Sequence, residues 1–206
     1  MIRKDKKMKI SRQEYQPLKF LDETSAHKHF VLIYDEPEYG KMIECKFVEN
    51  GLKKGINCIY LTHGNAQSAE NQMKQYGIDV KHYKEKNLLH FVDIDIIKES
   101  PEGISSAFDN FMQKIMNNFD PPYYILGRTI QDISTKTGME AELEAEHTMH
   151  NNFKKYQCSC LCTYHIDEIE KNMRKKWVNH LLDHHHSVIY ATEPNKAIGF
   201  DLTLLD

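Results

Sequence analysis

One segment near the start of the chain constrains the fold most, because it predicts a buried strand, a tight turn and a helix in succession. The run His29–Tyr34 is short, apolar and partly β-branched, which favours a strand that is covered on both faces. Asp35 is expected to cap the helix that follows, and Pro37 falls in its first turn. Gly51 or Gly55 is expected to end that helix. A strand that enters a helix through so short a turn opens a βαβ unit, in which ligands bind beyond the carboxyl ends of the strands.

The remainder of the chain repeats this alternation of strands and helices. Further strands are predicted over 56–61, 78–80, 88–92, 123–126, 158–164 and 187–191, with an edge hairpin over 197–205. Helices are predicted over 65–77, with Asn65 as the cap, and over 100–119, 138–156 and 166–182. Such alternation predicts an α/β fold with three layers and a mostly parallel sheet. We expect a single domain over 27–206, preceded by a tail over residues 1–26.

The composition excludes several classes of protein. The 206 residues carry 27 basic and 30 acidic side chains and a net charge of -3, which gives no general case for nucleic-acid binding. No apolar run approaches the roughly 18 residues that a membrane span requires. Five cysteines without a spaced framework indicate a reducing cytoplasm. The tail is basic, and we interpret it either as a solvated arm or as a docking segment for an acidic partner or nucleic acid.

The turn after the first strand raises the question of nucleotide binding. A phosphate loop requires Gly-x-x-x-x-Gly-Lys-Ser/Thr, so that backbone amides and a lysine face the phosphates and the hydroxyl holds magnesium. Here Gly40 and Lys41 are in place, but Asp35 replaces the first glycine and Met42 replaces the hydroxyl residue. Pro37 also removes an amide from the loop. The sequence therefore predicts a degenerate phosphate loop or simply the start of a helix.

Polar and aromatic side chains follow several of the predicted strands. Because the carboxyl ends of parallel strands meet at one edge of a sheet, these residues predict a pocket for a small molecule. Arg128 could hold a carboxylate or a phosphate there through its planar guanidinium group. The alternative is that each residue makes an ordinary hydrogen bond or ion pair at a strand end. The predicted ligand-binding residues are Tyr34, Asp35, His63, Asp93, Arg128, Tyr164 and His165.

No catalytic motif accompanies this predicted pocket. Asp93 follows the mostly apolar run Leu88–Val92 in the manner of a Walker-B carboxylate, but the loop provides no hydroxyl to share magnesium with it. The sequence contains neither Gly-x-Ser-x-Gly nor His-Glu-x-x-His. We therefore predict that the protein is not an enzyme.

Two groups of residues are weaker candidates for a metal site. Cys158, Cys160 and Cys162 alternate along a predicted strand, so their side chains share one face, but structural zinc prefers cysteines two to four residues apart. Packing in the core, where free cysteine behaves as a small hydrophobic residue, is the preferred explanation. His180 and His184 have the i, i+4 spacing of metal ligands on a helix, although histidine also favours a helix end. We predict no cofactor and expect any zinc or nickel there to be adventitious.

With these elements assigned, the chain resembles the MEDS family, a sensory domain named after the regulator DcmR and found in methanogens and methylotrophs. The matching stretches are HFVLIYDEPEY, NCIYLTHGNAQSAENQMKQYGIDV, YYILGR and CLCTYHIDEIE continuing to LLDHHHSVIY, which together cover residues 27–192. The resemblance implies a RecA/KaiC-like core that has lost its phosphate loop and serves as a sensor. We expect no attached DNA-binding or kinase domain, so the signal is expected to pass to a separate signalling or transcription-regulating protein, or through a homo-oligomer.

Three hypotheses about function follow. The first is a sensory domain that binds a small organic molecule at the strand ends and regulates a partner. The second is a diverged KaiC-like nucleotide-binding protein or ATPase. The third is a metal or redox sensor that uses the cysteine and histidine groups.

Overall fold

A single sheet organises the part of the chain that the structure describes. The computed structural model describes residues 15–24, 27–94 and 101–202. Seven strands form this sheet in the order β3-β2-β4-β5-β1-β6-β7. They are β1 (His29–Tyr34), β2 (Asn57–Thr62), β3 (Leu89–Asp93), β4 (Tyr123–Leu126), β5 (Cys158–His165), β6 (Ser187–Ala191) and β7 (Ile198–Asp201). Neighbouring strands are parallel except β7, which pairs antiparallel with β6. The predicted mostly parallel sheet is confirmed. The range predicted as an edge hairpin contributes the edge strand β7, and residues 203–205 lie outside the described residues.

Helices cover the two faces of the sheet. They are α1 (Gln16–Glu23), α2 (Pro37–Lys53), α3 (Ala66–Gln75), α4 (Val80–Glu85), α5 (Ile104–Asn118), α6 (Lys136–Tyr156) and α7 (Arg174–Asp183). Because side chains alternate along a strand, β1 contributes Val31 and Ile33 to the core under α5, α6 and α7. Phe30 and Leu32 enter the opposite core, under α1 and α2. The three-layer α/β/α prediction is confirmed, and no helix among the described residues could cross a membrane.

Several local predictions were wrong at element boundaries. The predicted strand over 78–80 is the capped start of α4, where the Asp79 carboxylate accepts a hydrogen bond from the His82 amide. Strand β5 continues through His165, so the helix predicted from 166 begins only at Arg174. Asp35 does not cap α2, because its carboxylate instead accepts from the Thr192 hydroxyl.

Other local predictions are confirmed. Asn65 caps α3 by accepting a hydrogen bond of 3.1 Å from the Ser68 amide. Helix α2 ends at Lys53, and Gly55 follows it with a positive φ of 71°, a conformation that glycine adopts without steric cost.

Part of the predicted tail packs against the domain. Residues 16–23 form α1, which buries Leu18 and Leu21 in the core beside α2. The Tyr15 hydroxyl donates a hydrogen bond of 2.7 Å to the Thr192 carbonyl, which ties the start of α1 to the chain beyond β6. The basic residues before position 15 lie outside the described residues.

A glycine near the start of α6 fixes the turn from which this helix begins. A Cβ atom added to Gly138 would lie 1.9 Å from the Asp132 carbonyl oxygen. Because that oxygen belongs to the backbone, Gly138→Ala is expected to lower the free energy of unfolding by about 1–3 kcal/mol, as measured by urea denaturation. The neighbouring exposed variant Thr137→Ala is expected to stay within about 0.5 kcal/mol of the wild type. Equal losses in the two variants would contradict this prediction.

Candidate functional site

The carboxyl ends of β1, β2, β4 and β5 surround a cleft of about 340 Å³. Parallel pairing brings these strand ends to the same edge of the sheet, as the sequence predicted. Aromatic rings and hydrogen-bonding side chains line the cleft together. The lining includes Tyr34, Tyr60, Thr62, His63, Gln72, Arg128, Gln131, Thr163 and Glu168. We call this the strand-end cleft.

Three of the predicted ligand-binding residues, Tyr34, His63 and Arg128, line the strand-end cleft. His63 Nε2 lies 3.3 Å from the Arg128 carbonyl oxygen, so these two residues contact each other at the cleft wall. Arg128 is held by its own surroundings: Nε donates to the Ile130 carbonyl at 3.1 Å and Nη1 to Glu168 at 2.8 Å. Because half of the Glu168 side chain is exposed, an anionic ligand could take its place on Arg128.

The other predicted residues lie outside this lining. Tyr164 is fully buried on the α6 face of the sheet. His165 Nε2 lies 3.0 Å from the Asp35 carbonyl oxygen, which connects the ends of β1 and β5. Asp93 ends β3 and is exposed.

The degenerate phosphate loop is occupied by the protein itself. A Cβ atom on Gly40 would lie 2.8 Å from the Tyr34 ring, so this glycine gives room to an aromatic side chain. The amides of Tyr39 and Gly40 donate to the Glu36 carbonyl at 3.0 and 3.4 Å. Lys41 is exposed, and Met42 packs partly buried against the core. This segment is therefore the first turn of α2, and the Tyr34 ring packs against it.

A buried carboxylate under the cleft was missed by the sequence analysis. Glu44 accepts hydrogen bonds from Gln72 Nε2 at 3.1 Å and from the Tyr60 hydroxyl at 3.3 Å. Burial raises the pKa of Glu44 above its ordinary value, and these hydrogen bonds oppose the rise. A signal was present, because Glu44 stands among the apolar residues Ile43 and Val48 on the inner face of α2.

A second group of polar side chains is buried between the sheet and α6. His29, Glu146, Cys162 and His185 place one donor atom each within 4.8 Å of one another. We call this group the His29 cluster. Among the weak metal candidates of the sequence analysis, it includes Cys162; Cys160 lies beside it, with its sulfur 3.6 Å from that of Cys162.

The remaining weak metal candidates, Cys158, His180 and His184, are not members of the His29 cluster. His29, Glu146 and His185 were missed by the sequence analysis. One signal was present, since Glu146 falls on the apolar face of α6 with Met149 and Phe153.

The charges of the His29 cluster depend on one another. Burial opposes the charge on His29, but hydrogen bonding and the attraction of Glu146 outweigh it and raise the pKa of His29 to about 10. Burial and the neighbouring His29 lower the pKa of His185 to about 3. Burial alone would raise the pKa of Glu146, but the two histidines hold it below its ordinary value.

A chain of hydrogen bonds leads from this cluster towards the loop after β4. The Tyr164 hydroxyl contacts Glu146 and donates to Glu142 at 2.8 Å. Glu142 in turn accepts from the Ile130 amide at 2.6 Å. Ile130 accepts through its carbonyl from Arg128, so the chain ends beside the strand-end cleft.

Another cleft, of about 270 Å³, is lined by residues of α1 and α2 and by Tyr76 and Ile78, which follow α3. Lys46 and Asp22 form an ion pair of 2.7 Å at its edge. Strand ends are the common ligand position in parallel sheets, so the strand-end cleft is the stronger candidate site.

Comparison with known proteins identifies the family. The model of the family described as MEthanogen/methylotroph, DcmR Sensory domain (MEDS) matches residues 28–195. The chain belongs to the MEDS family. A search of curated proteins found no match.

Solved structures show the fold of this MEDS domain. A KaiC-like protein from the hyperthermophilic archaeon Pyrococcus horikoshii aligns with a TM-score of 0.56 at 12% identity, covering 87% of this chain and 81% of that chain. Another Pyrococcus horikoshii protein aligns with a TM-score of 0.63 at 13% identity, covering 91% of this chain and 93% of that chain. At such identities the similarity shows the fold, and the predicted RecA/KaiC-like core is confirmed.

The buried Glu44 makes the stability of the MEDS domain depend on pH. Because burial raises its pKa above 4.5, the folded protein retains this proton at a pH where the unfolded chain has lost it. The contribution of Glu44 to stability is therefore expected to fall as the pH rises from 4.5, so the wild type loses stability relative to Glu44→Gln.

Urea denaturation at several pH values above 4.5 measures the free energy of unfolding of both proteins. The value for Glu44→Gln minus that for the wild type is expected to increase with pH. Glu49→Gln, at a more exposed glutamate of the same helix, is the control and should show no such growth. A Glu44→Gln advantage that is constant or shrinks with pH would contradict the prediction.

Proposed function

We propose that this MEDS domain is a non-enzymatic sensor that binds a small organic molecule in the strand-end cleft and regulates a separate protein. The observation that supports this proposal is the composition of the cleft. The rings of Tyr34 and Tyr60 provide apolar walls, and His63, Arg128 and Gln131 provide polar groups between them. Such a combination is typical of small-molecule sites, and the cleft volume of about 340 Å³ lies within their usual range.

The charges favour a ligand with a carboxylate or another compact anionic group. Arg128 is the cation of the cleft, and its carboxylate partner Glu168 is half exposed. A ligand anion that replaces Glu168 would meet a guanidinium group already fixed by the Ile130 and Gln131 carbonyls, so little conformational entropy is lost on binding. The family assignment supports the sensory role, and the cleft suggests the class of ligand.

Nucleotide binding is the less favoured function. The amides of Tyr39 and Gly40 already donate within the chain, and Met42 provides no hydroxyl for magnesium. Asp35 and Glu36 would also repel a triphosphate at the same turn. The fold of the KaiC-like neighbour therefore does not bring its own activity to this chain.

A thermal-shift screen of the whole chain tests the ligand proposal. Small organic carboxylates are expected to raise the Tm, and a ligand at 100 times its Kd adds about 2.7 kcal/mol of stability. His63→Ala is expected to weaken binding of a hit at least 10-fold, because it removes a polar group from the cleft wall. His82→Ala, an exposed histidine on α4, serves as the matched control. A hit that binds His63→Ala with unchanged affinity would place the site elsewhere.

The same assay separates this proposal from the nucleotide hypothesis. Mg-ATP is expected to leave the Tm of the wild type unchanged, since the loop offers neither free amides at Tyr39 and Gly40 nor a magnesium ligand at Met42. Lys41→Ala is expected to behave like the wild type towards Mg-ATP and towards any carboxylate hit. A Tm rise with Mg-ATP that Lys41→Ala abolishes would overturn the proposed function in favour of a nucleotide-binding protein.

A further inference from the structure

Four side chains that are far apart in sequence converge in the core, away from the strand-end cleft. His29 begins β1, Cys162 lies in β5, Glu146 lies in α6, and His185 precedes β6. Their exposed fractions are 0%, 5%, 4% and 0%, so water does not reach the group as it would on the surface. Burying two imidazoles, a carboxylate and a thiol together costs free energy unless the group has a partner for its charges.

A backbone carbonyl on the Nδ1 side of each imidazole ring fixes its orientation. His29 Nδ1 lies 3.0 Å from the His184 carbonyl oxygen, and His185 Nδ1 lies 2.6 Å from the Leu181 carbonyl oxygen. Because a carbonyl oxygen only accepts, each Nδ1 must carry the hydrogen. Both Nε2 atoms are therefore directed at the other members of the cluster. Metal-bound histidines are held in this manner, with the nitrogen that does not bind the metal donating to a carbonyl or carboxylate.

Two atoms that face each other inside the cluster lack a hydrogen bond. Glu146 Oε2 lies 3.2 Å from His29 Nε2 and 3.5 Å from His185 Nε2. Nevertheless, Glu146 Oε2 and His185 Nε2 are both buried without a hydrogen-bond partner. With its hydrogen on Nδ1, neutral His185 presents a lone pair on Nε2 to a carboxylate oxygen. Two electron pairs face each other at this point, and a cation between them would be bound by both.

The distances fit a tetrahedral metal site. Zinc binds nitrogen and oxygen at about 2.0–2.2 Å and sulfur at about 2.3 Å, so two ligands of one tetrahedral ion lie about 3.3–3.8 Å apart. His29 Nε2 lies 3.3 Å from the Cys162 sulfur and 3.2 Å from Glu146 Oε2, and His185 Nε2 lies 3.5 Å from Glu146 Oε2. All four donor atoms lie within 4.8 Å of one another, which small rotations of the side chains would close onto one ion.

We propose that His29 Nε2, His185 Nε2, Cys162 Sγ and Glu146 Oε2 form a closed binding site for one zinc ion. The mixture of imidazole, thiolate and carboxylate is a donor set that zinc accepts, and the thiolate disfavours magnesium and calcium. Four protein ligands leave no position for a substrate or an activated water, so this ion is structural or regulatory and not catalytic.

The charges of the site balance when zinc is bound. Binding releases two protons to solvent, one from the Cys162 thiol and one from Nε2 of the protonated His29. The thiolate and Glu146 then carry two negative charges against the two positive charges of zinc. The buried site is then neutral overall, which removes the repulsion between Glu146 and His185. Zinc would connect β1, β5, α6 and the segment before β6, so its removal is expected to lower the stability of the domain.

Cobalt substitution of the whole chain tests this proposal. The protein is prepared without an affinity tag, its metal is removed with a chelator, and Co²⁺ is added as the spectroscopic probe. We expect one Co²⁺ per chain with the visible absorption of a tetrahedral ion and a thiolate-to-cobalt charge-transfer band. Zinc is expected to displace the cobalt and to raise the Tm of the metal-free protein.

Matched variants assign the ligands. Cys162→Ser is expected to remove the charge-transfer band, whereas Cys158→Ser, on the same face of β5, retains it. Loss of a hydrogen-bond partner of a metal ligand lowers metal affinity about 10- to 100-fold. His185→Asn removes a ligand itself and is expected to lower the affinity by more than that. His184→Asn, at the adjacent position outside the cluster, is expected to keep the affinity of the wild type.

Several outcomes would overturn the proposal. A folded wild-type protein that takes up neither Zn²⁺ nor Co²⁺ would show that the cluster is a buried ion pair of His29 and Glu146 instead. A charge-transfer band that survives in Cys162→Ser, or disappears in Cys158→Ser, would remove the assigned thiolate. If a cluster variant does not fold, X-ray absorption of the zinc-bound wild type identifies the atoms that bind zinc. A coordination shell that lacks one sulfur among nitrogen and oxygen ligands would refute the site.

Discussion

The burial of β1 on both faces is the constraint on which the rest of this domain depends. Its parallel pairing with β5 and β6 places it inside the sheet, so helices must cover both sides. Each end of this six-residue strand contributes a side chain to a candidate site. His29 at its amino end belongs to the buried cluster, and Tyr34 at its carboxyl end lines the strand-end cleft. One strand therefore fixes the positions of both candidate sites.

Polar side chains are buried in the core between these two sites. Their burial costs free energy, and hydrogen bonds within the fold reduce that cost. Burial and the neighbouring Glu146 raise the pKa of Glu142 to about 7, while hydrogen bonds from Tyr164 and the Ile130 amide oppose the rise. These bonds connect α6 to β5 and to the chain beyond β4. The proposed zinc site and the strand-end cleft are thus joined by contiguous contacts, which is a physical route by which a change at one could reach the other.

The phosphate loop shows how a shared fold can serve a different purpose. The same strand-turn-helix that holds phosphates in nucleotide-binding proteins here holds the Tyr34 ring against Gly40. The amide of Gly40 then completes the first turn of α2 by bonding to the Glu36 carbonyl. The similarity to a KaiC-like structure therefore describes the scaffold, and the side chains at the strand ends describe what the scaffold can bind.

The sequence by itself determined the alternation of strands and helices, the parallel sheet and the Asn65 cap, because these follow from local periodicity and local hydrogen bonds. It could not determine the His29 cluster. His184 has the helical spacing that predicts a metal ligand, but α7 ends at Asp183, and it is the ring of His185 that turns into the core. Only the pairing of β1 with β5 and the packing of α6 bring His29, Cys162 and Glu146 together. The apolar setting of Glu146 on α6 indicates a buried carboxylate, but residues so far apart in sequence meet only through tertiary structure.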